Sequence, residues 1–246
     1  MSALIYTVGQ NGYDIAYRRC IASQRSYAAR LGVTYAAVTE PKRMPDTAIS
    51  AWLKIPLLLQ ALEAGYEHVA FIDADAEVRE TAPDFRLELT GDADVAMALG
   101  RSGRMNSGVI LARNGDGALE YFRRVMESIV EEIPDEARAN LKYENGNVIY
   151  VTDQIGGVEV LDQRWNNTAD PDLDDHVRHY TGPLRSTYKR NLIDELKFRL
   201  ARARVARPTP QPATRSPEFQ AQLLAAAQDA QTRYPALLGP GDRSRR

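Results

Sequence analysis

His68-Val-Ala-Phe-Ile-Asp-Ala-Asp-Ala-Glu77 is the stretch on which the reading of the fold turns. Val69 to Ile72 is an apolar run of the kind found in strands buried on both faces, and it leads straight into two carboxylates separated by one alanine. A carboxylate is costly to bury without a partner, so Asp73 and Asp75 belong at the strand's carboxyl end, where open α/β sheets hold their ligands. Two such charges repel each other, and a divalent cation shared between their oxygens keeps both ionised. A turn whose aspartates cap the next helix accounts for the same residues with no ligand at all.

Working outward, the chain before this stretch alternates. Leu4 to Val8 reads as a strand, Gly9-Gln-Asn-Gly12 as a turn, and Tyr13 to Leu31 as a helix stopped by Gly32. Val33 to Val38 is a second strand. Ile49 to Ala64 carries a helical stripe of Trp52, Ile55, Leu58, Leu59 and Leu62, which Pro56 bends or restarts. Strands joined by helical crossovers predict a parallel arrangement here. Downstream the alternation loosens: Asp94 to Leu99, Val109 to Ala112, Val158 to Leu161 and His176 to Tyr180 are strand candidates, and Glu120 to Val130 is an amphipathic helix. The expected class is α/β, a Rossmann-like mixed sheet flanked by helices.

The 246 residues, 44% of them hydrophobic, can build a sizeable core. A formal charge of -2 gives no global reason to expect nucleic acid as a partner. One cysteine, Cys20, forms no internal disulfide. With no signal peptide ahead of the first strand and no apolar run of about 18 residues, the sequence reads as that of a soluble cytoplasmic protein. The end of the chain differs in composition. Lys189 to Arg207 holds seven cations against Asp194 and Glu195, and Leu192, Ile193, Leu196 and Leu200 form an apolar stripe. That is the pattern of a peripheral helix on an anionic membrane, or of a helix packed on the main domain or on a second subunit of a homo-oligomer. The expected organisation is a catalytic-type domain over residues 1–185, a basic amphipathic helix over 186–207, and a Pro-rich linker with a helical tail over 208–246.

Six landmarks follow one another along the chain: Lys54, Phe71-Ile-Asp-Ala-Asp-Ala76, Asn106-Ser-Gly108, Asp153-Gln154, Trp165-Asn166 and His179-Tyr-Thr-Gly182. In this order, over roughly residues 3–185, the sequence resembles retaining glycosyltransferases of the GT-A fold, near glycosyltransferase family 8 and a related galactosyltransferase group. The resemblance implies a nucleotide-diphospho-sugar transferase moving galactose or glucose from a UDP-sugar to an acceptor hydroxyl. It implies Asp73, Asp75 and His179 as ligands of a divalent metal, with Mn2+ preferred and Mg2+ the alternative. It sets Lys54 beside the donor phosphate or sugar, Asn106 and Gly108 against the sugar, and Asp153 and Gln154 at the sugar face. Gly182 and Arg185 fall in the His-x-x-Gly-x-x-Lys motif, where arginine here replaces the usual lysine and the Pro-Trp that normally follows is absent.

Other candidates come from position. Tyr6, Thr7 and Tyr13 lie at or just beyond the end of the first strand, where a nucleotide would sit, and Tyr13 is suited to stacking on a base. Asp94 is a sugar contact or an ordinary cap. A neutral glutamine is a poor nucleophile, which favours front-side displacement over a covalent intermediate. Two rival readings remain. One is a noncatalytic nucleotide-sugar-binding or interaction protein on a transferase-like fold. The other is a haloacid dehalogenase-like phosphohydrolase, whose Asp-x-Asp normally follows the first strand and is followed by Thr or Val where Glu77 stands.

Overall fold

The computed structural model describes residues 1–44, 46–138, 143–203 and 216–240. In chain order the elements are β1 (Ala3–Val8), α1 (Tyr13–Ala16), α2 (Arg18–Leu31), β2 (Thr34–Val38), α3 (Thr47–Trp52), α4 (Lys54–Glu63), β3 (His68–Ile72) and β4 (Ala76–Val78). There follow β5 (Val95–Ala98), β6 (Val109–Arg113), α5 (Asp116–Glu127), α6 (Asp135–Arg138), α7 (Asn145–Ile155), β7 (Val158–Leu161), β8 (Val177–His179), α8 (Leu192–Ala203) and α9 (Pro217–Arg233). The helix expected over residues 13–31 breaks at Tyr17, and the one over residues 49–64 restarts at Lys54. Pro56 thus falls in the first turn of α4, where its missing N–H costs no helical hydrogen bond.

Six strands form one mixed sheet in the order β2-β1-β3-β6-β5-β7. β1 pairs parallel with β2 and β3, β6 runs antiparallel to both of its neighbours, and β5 pairs parallel with β7. Alternate residues face opposite layers. Leu4, Tyr6, Val69, Phe71, Ile110 and Met97 pack beneath α3, α4, α5, α7 and α9, whereas Ile5, Ala70, Ile72, Val109 and Leu111 pack with Tyr27 and Ala28 of α2, Phe85 and Trp165.

Two departures from the sequence reading bear on the site. The short strand β4 immediately follows the two aspartates and pairs antiparallel with β8, forming a second, two-stranded sheet. And α9, expected in an appended tail, is part of the main core: Phe219, Leu223, Ala227 and Ala230 are buried there, with the Phe219 ring edge-on to Trp52 at 6.3 Å. The Tyr234 hydroxyl that follows accepts hydrogen bonds from the Thr39 and Glu40 backbone N–H groups. Four apolar side chains spaced three or four apart make one helical stripe, and in an Ala/Gln-rich helix so narrow a stripe is easily overlooked.

Candidate functional site

The carboxyl end of β3 opens into a cleft of about 410 Å³. Asp73 and Asp75 lie on its floor because β3 ends at Ile72 and the chain must turn before β4. The Asp73 N–H donates to the Gly108 carbonyl, so β6 holds the start of that turn. Pairing of β4 with β8 puts His179 opposite Ala76, and the Tyr180 N–H donates to the Asp75 carbonyl. The result brings the His179 Nε2 to 3.1 Å from one Asp75 oxygen and 3.7 Å from one Asp73 oxygen. One ligand atom from each of the three residues lies within 4.8 Å of the others.

The donor set fits a divalent cation. An octahedral ion with ligands at about 2.1 Å keeps adjacent ligand atoms about 3 Å apart, the spacing seen between His179 and Asp75. The imidazole also presents the right nitrogen. Asn106 Oδ1 accepts from the Gly108 backbone N–H and from Asn166 Nδ2, so Asn166 must turn its Oδ1 to His179 Nδ1, at 2.9 Å. That atom accepts only from a protonated Nδ1, so in the neutral ring, the form that binds a metal, the lone pair sits on Nε2, the nitrogen that faces the carboxylates. Such an outer hydrogen bond is what fixes the tautomer of a metal-ligating histidine. Gly108 has a matching role: a Cβ there would lie 2.4 Å from His179 Cε1 and 2.6 Å from its Nδ1. The glycine leaves room for the ring.

The charges in the cleft are strongly coupled. Burial disfavours a charged His179, but the Asp75 carboxylate and then Asp73 outweigh that and raise its pKa. Burial likewise acts to raise Asp75, yet the charge and hydrogen bond of His179 leave it below the usual carboxylate range. Asp73 is raised, chiefly by burial, against the pull of Lys54 and His179. Lys54 is buried, with its Nζ 3.1 Å from Asp73, 2.9 Å from Glu144 and 3.2 Å from the Ser107 carbonyl. These three contacts take all three of its N–H donors, and the two carboxylates hold its pKa up against the opposing effect of burial.

The structure sorts the remaining candidates. Tyr13, Asn106 and Gly108 line the cleft with the metal-site residues and Lys54. Tyr6 is wholly buried, its hydroxyl donating to the Lys54 carbonyl, and Thr7 is buried beside it on β1. Neither lines the cleft. Asp94 sits at the opposite end of the sheet, because it precedes β5, and there it pairs with Arg113 at 3.0 Å. Asp153 and Gln154 are exposed near the far end of α7, and Gln154 accepts from Arg124. Eight residues of helix, about 12 Å, separate Asp153 from Asn145, where α7 meets the cleft. Gly182 and Arg185 are exposed outside the lining, although the charge of Arg185 reaches Asp75 and Tyr13.

Sequence reasoning missed several residues that the cleft does contain. Glu144 and Asn145 occupy the cleft end of α7: Glu144 pairs with Lys54 and accepts from the Ser107 hydroxyl, and Asn145 Oδ1 accepts from the Ser107 N–H at 2.7 Å. They lie in a polar segment without periodicity, and only their position at the start of an apolar helix hinted at a role. Gln10, Asn11 and Ser50 form a hydrogen-bonded rim, and Arg202 reaches in from α8.

No family model matches the sequence, and no curated protein does. Among solved structures, a glycosyltransferase involved in the glycosylation of the major capsid of PBCV-1 superposes with a TM-score of 0.60 at 18% identity, covering 80% of this chain and 99% of that one. The glycosyltransferase GlyE of Streptococcus pneumoniae TIGR4 gives 0.48 at 12% identity, covering 92% of this chain and 65% of that one. The galactosyltransferase LgtC gives 0.42 at 14%, covering 90% and 100%. The first of these likenesses, together with the mixed sheet, identifies the fold as GT-A-like.

Proposed function

We propose that this protein is a metal-dependent retaining glycosyltransferase that moves galactose or glucose from a UDP-sugar to an acceptor hydroxyl. The observation that carries the reading is the Asp73, Asp75 and His179 cluster, its imidazole lone pair fixed by Asn166, at the carboxyl end of a strand in a GT-A-like fold. A Mn2+ ion held there would stabilise, as a Lewis acid, the charge that grows on the departing diphosphate. Mixed oxygen and nitrogen ligation favours Mn2+ over Ca2+. Lys54 supplies the buried counter-charge to Asp73 and Glu144. Tyr13 is placed to flank the nucleotide, and Asn106, whose Oδ1 is engaged, has its amide nitrogen for sugar hydroxyls. Glu144 and Asn145 line the cleft and Asp153 and Gln154 do not, and in this reading it is the former pair that faces the sugar. With Glu144 tied to Lys54 and Ser107, we favour front-side attack by the acceptor hydroxyl.

The test is Mn2+-dependent release of UDP from UDP-glucose and UDP-galactose, with and without acceptors. Asp73→Asn or Asp75→Asn should lower the rate at least about tenfold. Turnover that persists unchanged in both variants under chelation overturns the metal assignment. Proton NMR of the first product reports the anomeric configuration, and an inverted linkage overturns retention.

We further propose that the outer face of α8 rests on an anionic membrane surface from the cytoplasmic side. Leu192, Ile193, Leu196 and Leu200 are 89%, 66%, 60% and 54% exposed, and the exposed Lys197 and Arg199 flank them. Among the described residues nothing covers this stripe, and no helix is long and apolar enough to cross a membrane. Flotation of the full chain with anionic liposomes at low salt should be lost in a Leu196→Glu/Leu200→Glu variant. Equal flotation of both proteins, or none for the parent chain, refutes it; a concentration-dependent dimer that the variant abolishes would assign the stripe to self-association instead.

A further inference from the structure

We infer that Arg202 of α8 binds the diphosphate of the donor, so that a helix outside the expected catalytic domain completes the donor site. This inference rests on the reading of the cleft as a nucleotide-sugar site. Among the described residues lining the cleft, the cationic side chains are Lys54, His179 and Arg202. Lys54 has no donor to spare. His179 gives Nδ1 to Asn166 and turns Nε2 to the carboxylates. Arg202 pairs with no carboxylate of the described residues; its guanidinium lies 6.0 Å from the centre of the Phe198 ring, and its charge acts on the Tyr13 phenol. A departing nucleoside diphosphate carries more negative charge than one divalent ion cancels, and here that ion also faces two aspartates. The guanidinium is the group at the cleft free to supply the difference through paired N–H donors.

The helix is built to hold that side chain in place. Asp194, Phe198 and Arg202 stand at i, i+4 and i+8, on one face of α8. Asp194 is buried and pairs with Arg18 at 2.7 Å, and Phe198 meets Tyr13 edge-on at 6.3 Å. Between them Arg190 stacks over the rings of Tyr17 and Phe198, at 4.9 and 4.7 Å. Gly12 permits the close approach: a Cβ there would lie 2.9 Å from the Ala201 Cβ, in a backbone conformation of φ +84° that glycine adopts freely. The anchored turns therefore end with Arg202 at the mouth of the cleft, above Tyr13.

Isothermal titration of the full-length protein tests this, using UDP, GDP and ADP, each with Mn2+, together with UMP as a ligand one phosphate shorter. Arg202→Ala should weaken the nucleoside diphosphate that the parent protein binds by about 10- to 100-fold, and UMP by much less. Arg202→Lys should recover part of the loss. Affinity for Mn2+ alone and the unfolding temperature should not change, whereas a purely structural role would move the temperature and all ligands together. If the parent protein binds a diphosphate and Arg202→Ala binds it equally well, or loses UMP by the same factor, the inference is overturned. If the parent protein binds none of the three diphosphates, the donor-site reading falls, and this inference with it.

Discussion

Gly108→Ala should damage the metal site without touching a ligand. The added methyl would sit 2.4 Å from His179 Cε1, 2.6 Å from Nδ1 and 2.9 Å from Asn106 Oδ1, all well inside contact distance. The ring cannot retreat and keep its place, because Asn166 holds Nδ1 at 2.9 Å and β8 fixes the backbone against β4. Overpacking of this kind costs about 1–3 kcal/mol. In a chain of this size each kcal/mol lowers the unfolding temperature by about 2–4 °C. Turning His179 away also removes the nitrogen ligand, for which a loss of at least the 10- to 100-fold typical of outer-shell disruption is expected in Mn2+ affinity. Electron paramagnetic resonance of free Mn2+ gives the affinity, and thermal unfolding in chelator gives the stability. The decisive comparison is a double-mutant cycle with His179→Ala, which vacates the space: Gly108→Ala should then cost little stability. The same penalty in both backgrounds would mean that the methyl clashes with something other than the imidazole, and that Gly108 does not make room for the ring.

Asn166→Ala should weaken Mn2+ binding by about 10- to 100-fold with every direct ligand intact, since nothing would then hold the proton on Nδ1; unchanged affinity in a calorimetric titration would contradict the tautomer assignment. Lys54→Met leaves Asp73 and Glu144 buried without their counter-ion and should cost about 3–5 kcal/mol in urea unfolding at neutral pH, less in acid as Asp73, whose pKa burial raises, protonates. For pH, the raised pKa of His179 means that its ion pairs stabilise the metal-free protein fully below the ordinary value of 6.5, and that this contribution is lost as pH rises through the folded-state value. Metal binding has the opposite sign, because the ligand must be neutral. Between pH 5.5 and 8, Mn2+ affinity should therefore rise while the stability of chelated protein falls relative to His179→Gln; parallel trends would rule this out. Phe219→Ala, which empties the place beside Trp52, should destabilise the whole protein by about 3–5 kcal/mol in a single cooperative transition, whereas an early, separate transition of α9 would show that it does not belong to the core.

What the sequence determined by itself was local. The Val69 to Ile72 run, the aspartates that end it and the apolar stripe around Trp52 are legible because the strand and helix periods act within a few residues, and because a charge at the end of an apolar run has few places to go. The same logic located strands at Val109 and Val158 to within a residue. Long-range placement decided the rest. β4 is three residues long and carries no signal alone, yet its pairing with β8 sets His179 beside Asp75. Asp153-Gln154 stands in the expected order along the chain but at the end of α7 away from the cleft, while at the other end the buried Glu144 pairs with Lys54 and the half-buried Asn145 accepts from the Ser107 N–H. In α8 the sequence revealed an apolar stripe, and only the fold shows that the stripe faces outward while Asp194 and Phe198 turn inward to Arg18 and Tyr13 and Arg202 lines the cleft. Periodicity fixes which residues share a face. Which face is buried depends on what the rest of the chain brings against it, and here Gly12 and the rings of Tyr13 and Tyr17 gave the polar side of α8 the better fit.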